Sequence, residues 1–331
     1  MVLTKHPRIT IGMLTKNGAW CLDRVLEAVF NTDYPRDRIQ IVVVDDFSTD
    51  GSWQILQNWK ASNIELYDGI ELVQKRTNIP EARNVCLAHA TGDYVLFWDS
   101  DVIPPTNTLL QDMMKEMEEN LDIGAVGCSY IYENPTLLMR AKKSPVSMDT
   151  HAVFLGFTLI RSNIFKDIGG FNERMSVGED TEFFIRVRER TKLSVRWGPR
   201  TVLHLRSEKG TTSGPTKFSK WIRYTYRDRA KGYFKELRNI PLFLRLRVVY
   251  YLSLPLFWLF VLIIAAFGMM DALVAVLLLI LSIVPALAFA VRNSGLRDGL
   301  ITAITFYIPT GIALSYGVLR EAIHSSLGSS Q

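Results

Sequence analysis

Three long stretches without a charged side chain occupy the last third of the chain. They cover residues 248–270, 272–291 and 300–319 and contain 23, 20 and 20 residues. As a helix, about 20 such residues cross the roughly 30 Å hydrocarbon core of a bilayer. Residues 1–247 have the mixed composition of a globular domain. The sequence therefore predicts a globular part followed by an α-helical transmembrane domain over residues 248–331.

A basic segment, residues 206–247, precedes the first apolar stretch. It holds 12 Lys+Arg and 3 Asp+Glu, a net charge of +9, whereas the whole chain is +5. The positive-inside rule places such a segment on the cytoplasmic side of the membrane. No signal-peptide pattern opens the sequence, so we expect an integral membrane protein with a cytoplasmic globular domain.

The same basic segment is rich in aromatic residues, and we expect it to form amphipathic helices at the interface. Beside a transmembrane span, this mixture favours binding to anionic membrane lipids over binding to nucleic acid. Arg223 and Arg227 lie one helical turn apart, a spacing that suits the phosphate of a lipid-linked acceptor. Nonspecific contact with lipid headgroups is the simpler interpretation, and both remain open.

Short, continuous apolar runs alternate with segments of helical spacing in residues 1–205. The predicted strands are 9–14, 39–44, 64–67, 94–98, 123–132 and 153–160, and the predicted helices are 20–30, 53–59, 80–90, 106–120, 162–168 and 181–190. Continuous apolar strands between helices indicate a parallel sheet that is covered on both faces. The predicted fold class of this part is α/β, with a doubly wound, Rossmann-like sheet.

Acidic residues follow two of the predicted strands. Asp45 and Asp46 end the second strand, and Asp99 and Asp101 flank a serine directly after the fourth. In doubly wound sheets ligands bind outside the carboxyl ends of the strands. Paired carboxylates at that edge suit a hard divalent cation, which also binds phosphate oxygens.

A third acidic pair, Glu179-Asp180, precedes the last predicted helix of the globular part. Carboxylates at a helix N-terminus commonly cap the helix and complement its dipole. From spacing alone, capping is the favoured interpretation of this pair.

Four segments, taken in order, resemble glycosyltransferase family 2, whose members have the GT-A fold with a mixed sheet. Residues 42–52 resemble its nucleotide-binding strand end, although the family usually has glycine where this chain has Phe47. Residues 78–84 resemble the segment that enters the third helix, and Asp99-Ser100-Asp101 resembles the metal-binding Asp-x-Asp. Residues 169–173 and 178–180 resemble the acceptor-side motif. The resemblance covers about residues 1–205.

The resemblance implies a nucleotide-diphosphate sugar donor and a divalent cation, Mn²⁺ or Mg²⁺. The residues that would bind the nucleotide sugar are Asp45, Asp46, Arg83 and Asp99. The residues that would hold the cation are Asp99, Asp101 and His204, which lies just past the last strand of this part. For Arg83 a surface helix charge, and for His204 a structural role, remain open alternatives.

The resemblance also implies that Asp180 is the catalytic base, with Glu179 orienting the base or the acceptor. Asp180 would accept the proton of an acceptor hydroxyl as its oxygen attacks the anomeric carbon, and this single displacement inverts the anomeric centre. The expected acceptor is a lipid-linked glycan, a glycolipid or another membrane-associated hydroxyl compound.

Other functions remain possible for such a chain. A polyprenyl-phosphate sugar synthase has an acceptor that is already anionic and needs no base, so the Glu-Asp pair favours a hydroxyl acceptor. A processive polysaccharide synthase is disfavoured because no Gln-x-x-Arg-Trp segment is present. A non-catalytic membrane scaffold with a degenerate domain is disfavoured because Asp99, Asp101 and Asp180 are retained.

Overall fold

The computed structural model describes residues 6–133, 155–174, 179–205, 226, 234, 242–294 and 308–328. The chain divides into two compact units. The first consists of Met1–Asn134 and Ser144–Thr212, and the second of Pro135–Lys143 and Ser213–Gln331.

The described part of the first unit alternates strands and helices. Its strands are β1 (Ile9–Thr15), β2 (Ile39–Asp45), β3 (Gly69–Gln74), β4 (Tyr94–Trp98), β5 (Val102–Ile103), β6 (Ile123–Tyr132), β7 (Phe157–Arg161) and β8 (Ser194–His204). Its α-helices are α1 (Ala19–Phe30), α2 (Ser52–Asn63), α3 (Ile79–His89), α4 (Leu109–Glu119), α5 (Ser162–Ile168) and α6 (Glu179–Arg190), and Arg36–Arg38 form a 3₁₀ turn.

The strands form one mixed sheet of eight strands in the order β3-β2-β1-β4-β7-β6-β8-β5. β3, β2, β1 and β4 are mutually parallel. β7 runs antiparallel to β4 and β6, so β6 and its parallel partner β8 point the same way as β4. The predicted mixed α/β fold is therefore confirmed.

Helices cover both faces of this sheet. Side chains of α1, α2 and α4 pack on one face with the alternate strand residues Ile9, Ile11 and Met13 of β1. Side chains of α3, α5 and α6 pack on the other face, where Phe97 of β4 lies. Every residue of β2 and β4 is buried, which is why residues 41–44 and 94–98 are continuous apolar runs in the sequence.

The predicted strand at 64–67 is wrong. Residues 64–67 form a turn at the end of α2, where the buried Tyr67 packs against Trp59 with ring centroids 5.7 Å apart. The strand follows at β3, which pairs with β2 from Gln40↔Gly69 to Asp45↔Gln74. As an edge strand β3 is mostly half-buried, so its apolar pattern in the sequence is weak.

The described part of the second unit consists mainly of three long helices, α7 (Leu242–Ala266), α8 (Ala272–Ser294) and α9 (Ile308–Gly328). Among the described residues, one helical segment, Val248–Ala266, is long and apolar enough to cross a membrane, and Ala272–Ala288 is a shorter apolar segment. By length and composition alone, one such segment is weak support for membrane association. Part of the predicted third span, residues 300–307, lies outside the described residues.

Contacts between these helices are both polar and close-packed. The Tyr250 hydroxyl donates to the Ser282 carbonyl oxygen at 2.7 Å, and the Trp258 indole donates to the Ser282 hydroxyl at 2.9 Å. Tyr251 lies against Gly311, where an added Cβ would come within 2.5 Å of its ring. α7 therefore packs against both α8 and α9.

Gly92, just before β4, provides a test of the sheet packing. A Cβ at this position would lie 2.5 Å from the Thr10 backbone nitrogen and 2.8 Å from the Tyr94 carbonyl oxygen. Because backbone atoms cannot move aside cheaply, we expect Gly92→Ala to lower the free energy of unfolding by about 2–3 kcal/mol. Gly69→Ala is the control, since its Cβ would meet only Gln40 Cγ at 3.9 Å. Thermal unfolding of both purified variants measures the difference, and equal melting temperatures would contradict this packing.

Candidate active site at the carboxyl edge of the sheet

The predicted acidic residues lie along one edge of the sheet. β1 and β2 are in register with Thr15 opposite Asp45, and Asp99 follows the parallel strand β4. His204 is the last residue of β8, which points the same way. The structure therefore brings the ends of four strands, with their polar side chains, to one edge.

Asp45 organises the loop that follows β2. It is fully buried, and its carboxylate accepts hydrogen bonds from the Ser48 backbone nitrogen at 3.0 Å, from the Ser48 hydroxyl and from Gln74 Nε2 at 2.9 Å. The predicted role of Asp45 at the nucleotide stays a prediction. In the structure its oxygens bind donors of the protein itself.

Asp46 is placed differently from its neighbour. It is half-buried and forms an ion pair with Lys16 through Oδ2. Its other oxygen, Oδ1, is buried and has no hydrogen-bond partner. A buried carboxylate oxygen without a donor is costly, so this atom is suited to accept a hydrogen bond from a ligand.

The Asp99–Asp101 turn is held by its neighbours in the sheet. The Asp99 backbone nitrogen donates to the Gly156 carbonyl oxygen at 2.8 Å, just before β7. The Leu205 backbone nitrogen donates to the Asp101 carbonyl oxygen at 2.7 Å, just after β8. The turn therefore depends on strands that are distant in sequence.

Asp101 and His204 lie close together. Asp101 Oδ2 is 3.8 Å from His204 Nε2, and 19% of the Asp101 side chain is exposed. Burial raises the pKa of Asp101 to about 6, the neighbouring imidazole of His204 opposes that rise, and the charge of Asp99 adds to it. The site thus has an excess of negative charge that a cation would relieve.

The orientation of His204 suits metal binding. Its Nδ1 donates to the Leu205 carbonyl oxygen at 3.0 Å, and its Nε2 lies on the side of Asp101 Oδ2, 3.8 Å away. The rings of Tyr130 and Tyr132 pack beside the imidazole, with centroids 5.6 and 5.1 Å away. Such outer contacts commonly fix a ligating histidine.

A complete protein-only metal site is not formed within the described ranges. Among those residues, no three His, Cys, Asp or Glu side chains are grouped closely enough to hold a metal ion. Within the predicted set, Asp101 and His204 are in contact at 3.8 Å, and the charge of Asp99 acts on Asp101.

Arg83 forms a buried ion pair instead of facing solvent. Its guanidinium donates to Glu179 Oε1 at 2.6 Å, and the two side chains are 8% and 9% exposed. The guanidinium also lies over the rings of Phe97 and Phe171, at 5.9 and 5.5 Å from their centroids. Arg83 thereby links α3, β4 and the first residue of α6. Its predicted contact with the nucleotide stays a prediction.

Asp180 is the second residue of α6 and is partly buried. The first turn of this helix contains three carboxylates, which the helix dipole stabilises as anions. Gly178 lies outside the described residues, as do Arg223 and Arg227. Because Asp180 directly follows Glu179, the predicted base lies next to the buried Arg83–Glu179 pair.

The sequence analysis missed two residues that hold the turn before α6. Asn84 donates to the Phe171 carbonyl oxygen and accepts from the Phe171 backbone nitrogen, both at 2.8 Å. Arg186 donates to the carbonyl oxygens of Ile168 and Gly170 at 2.9 and 2.7 Å. Asn84 lies in the segment 78–84 that was already singled out, but its partner could not be identified without coordinates.

The sequence of this chain is similar to those of known glycosyltransferases. A sequence profile described as "Glycosyl transferase family 2" matches residues 10–186. The poly(ribitol-phosphate) beta-glucosyltransferase of Bacillus spizizenii is 30% identical over 122 residues, which are 35% of this chain and 19% of that protein. The match therefore spans less than two thirds of the length of this relative.

Two solved structures have a similar fold. The mannosyltransferase PcManGT from Pyrobaculum calidifontis, in complex with GDP-Man and Mn²⁺, has a TM-score of 0.64 and 20% identity over 91% of this chain and 88% of that one. TarS 1-349 of S. aureus, in complex with UDP-GlcNAc, has a TM-score of 0.52 and 16% identity over 96% and 92%. At these identities the likeness shows the fold alone.

The buried Arg83–Glu179 pair leads to a stability prediction. Arg83→Met leaves a carboxylate buried without its partner, and we expect a loss of about 3–5 kcal/mol in the free energy of unfolding. The double variant Arg83→Met/Glu179→Met removes both charges and should recover most of that loss.

The control for this comparison is the more exposed ion pair Arg24–Glu133, whose side chains are 50% and 28% exposed. Arg24→Met should cost less than about 1 kcal/mol because water screens exposed ion pairs. Melting temperatures of these three variants and of wild type measure these effects. If Arg83→Met unfolds at the wild-type temperature, the pair is not the buried link described above.

Proposed function

Since this chain belongs to glycosyl transferase family 2, whose profile matches residues 10–186, we propose that it transfers a sugar from a nucleotide-diphosphate donor to a hydroxyl group of a membrane-associated acceptor. It is a glycosyltransferase. The observation that supports the proposal is that Asp46 and Asp101 follow parallel strands at one edge of the sheet. Glu179, the neighbour of Asp180, pairs with Arg83, whose guanidinium lies 5.9 Å from the ring of Phe97 near the end of β4.

Donor binding is proposed at the ends of β1, β2 and β4. Asp46 Oδ1 lacks a donor, and it would accept a hydrogen bond from the nucleobase. Asp45 would act indirectly, because its carboxylate fixes the loop on which Asp46 lies. The solved neighbours with this fold hold GDP-Man and UDP-GlcNAc, which supports a nucleotide sugar as the class of donor.

A divalent cation, Mn²⁺ or Mg²⁺, fits the residues present. Asp101 and His204 would hold it, with Asp99 adding negative charge, and donor phosphate oxygens would fill the remaining positions. Such sites commonly use only one or two protein carboxylates, which accords with the small ligand set. When bound, the cation would stabilise the charge that develops on the leaving diphosphate.

Acceptor activation is assigned to Asp180. As the acceptor oxygen attacks the anomeric carbon, Asp180 would accept its proton, and one displacement would invert that centre. Glu179 is bound to Arg83 inside the protein, so we propose that it positions Asp180 rather than touching the acceptor. This is a more limited role than direct catalysis by Glu179.

The membrane-associated acceptor is supported by the surface of α7 and α8. Only 22% of the apolar segment Val248–Ala266 is buried, whereas the core helix of a soluble protein is mostly buried. Large apolar side chains such as Leu259, Phe260 and Leu277 are about half exposed. A lipid bilayer would cover such a surface. We propose an integral membrane protein that takes a lipid-linked or lipid-embedded acceptor at the cytoplasmic face.

Two substitutions test the assigned roles. Asp180→Asn should retain donor binding and lower the transfer rate by about 10²–10⁴-fold, since it removes a general base. Asp101→Ala should abolish Mn²⁺-dependent donor binding. Isothermal titration with a panel of UDP- and GDP-sugars, followed by transfer assays on lipid-linked acceptors, measures both effects.

Asp37→Asn is the matched control, because this side chain is 78% exposed and lies at the opposite edge of the sheet. It should behave like wild type. A near-normal transfer rate of Asp180→Asn would refute the assignment of Asp180 as the general base. It would favour an acceptor phosphate, which needs no deprotonation. Absence of metal-dependent binding with every donor in the panel would refute the donor class.

The raised pKa of Asp101 predicts a pH dependence of metal binding. Below about pH 6 a proton occupies this carboxylate and competes with the cation. We therefore expect the affinity for Mn²⁺, measured with saturating nucleotide, to fall about tenfold per pH unit below 6 and to be constant above 7. Asp101→Asn should bind weakly at every pH. A wild-type affinity that is unchanged between pH 7 and pH 5 would contradict the assignment.

A further inference from the structure

Phe47, directly after Asp46, has a backbone conformation that bulky residues rarely adopt. Its φ is +49°, in the left-handed region. In that region the Cβ of an L-residue crowds the backbone, so non-glycine residues avoid it and large ones are outliers. Such a conformation persists only where the surrounding structure enforces it, commonly at binding sites.

Hydrogen bonds between two loops enforce this conformation. The Asn17 backbone nitrogen donates to the Ser48 hydroxyl at 2.8 Å, and the Thr49 backbone nitrogen donates to Asn17 Oδ1 at 2.8 Å. Ser48 is in turn bound by the buried Asp45. The loops after β1 and β2 are therefore locked together around Phe47.

The ring of Phe47 contributes little to the core. It is 44% exposed, and it belongs to neither apolar cluster of the first unit. The guanidinium of Arg76, which follows β3, lies 5.4 Å from its centroid. The chain thus holds a large aromatic side chain in a strained conformation at the carboxyl edge without burying it.

We propose that Phe47 is the stacking surface for the nucleobase of the donor. This inference rests on the proposed function, since it assigns a residue to the nucleotide part of that site. An exposed aromatic ring beside a guanidinium suits a flat π-system, because bases stack on both kinds of group. The neighbouring Asp46 Oδ1 provides the acceptor for the edge of the same base.

The charges around the ring favour a nucleotide over an apolar partner. Lys16 is beside Asp46, and Lys75 and Arg76 follow β3, so cations border this part of the edge. Lys16 is already paired with Asp46, whereas Lys75 and Arg76 are exposed. The phosphates of a nucleotide would complement these two cations, and an apolar partner would not. Phe47 is thereby a specificity-determining residue of the donor site.

The experiment measures base stacking separately from phosphate binding. The detergent-purified full-length protein is titrated, with Mn²⁺, with UDP, GDP, CDP and ADP, and with inorganic pyrophosphate, which has no base. Phe47→Gly and Phe47→Ala should lower the affinity for the tightest-binding nucleotide about 5- to 100-fold and leave the affinity for pyrophosphate unchanged. Phe47→Trp keeps a ring and should stay within about threefold of wild type. Leu121→Ala, at a 75% exposed position on the opposite edge, is the control and should bind as wild type.

The outcomes separate this inference from the function on which it rests. If wild type binds none of the nucleotides, the donor class itself is wrong. If wild type binds a nucleotide and Phe47→Gly binds it equally well, the stacking role is wrong. The role is also wrong if the affinity of Phe47→Gly for pyrophosphate falls as much as its affinity for the nucleotide. Phe47→Gly also relieves the left-handed strain, so its melting temperature should equal or exceed that of wild type. A clear decrease would mean that the ring serves packing, and it would overturn the proposal.

Discussion

Parallel hydrogen bonding among β1, β2 and β4 makes three strands end at one edge of the sheet. Because Thr15 is opposite Asp45 and β4 follows in the same direction, loops from distant parts of the chain must emerge side by side. The antiparallel strand β7 then brings β6 and β8 into the same orientation, which adds His204 to that edge. The chemistry proposed for this protein depends on that arrangement, since ligands of such sheets bind where the carboxyl ends meet.

Several unfavourable features of the first unit lie near this edge. Phe47 has a left-handed backbone, Asp46 has an unpaired buried oxygen, and burial raises the pKa of Asp101. Each costs folding free energy. A bound nucleotide would supply a donor to Asp46 Oδ1, and a bound cation would offset the negative charge at Asp101. The buried β2 and β4 beneath them provide the rigid support that such strain requires.

Some errors of the sequence analysis share a physical cause. Local patterns identify an element when it is buried throughout, as β2 is, or when its apolar side chains recur at helical spacing, as in α1. They fail for β3, an edge strand with a half-buried face, and for 64–67, whose apolar side chains close the end of α2 instead. The orientation of Arg83 was also beyond local reasoning, because its partner Glu179 is 96 residues away.

The sequence by itself determined the alternation of strands and helices, the acidic strand ends and the apolar C-terminal stretches, because periodicity and charge-free length are local properties. It also carried the motifs of glycosyl transferase family 2. Only the tertiary structure decided which carboxylate oxygens accept hydrogen bonds from the protein and which have no partner. Asp45 and Asp46 are adjacent and chemically identical, yet one is fully buried among donors and the other keeps an oxygen unpaired. That difference depends on side-chain direction and on loops distant in sequence, which no local pattern records.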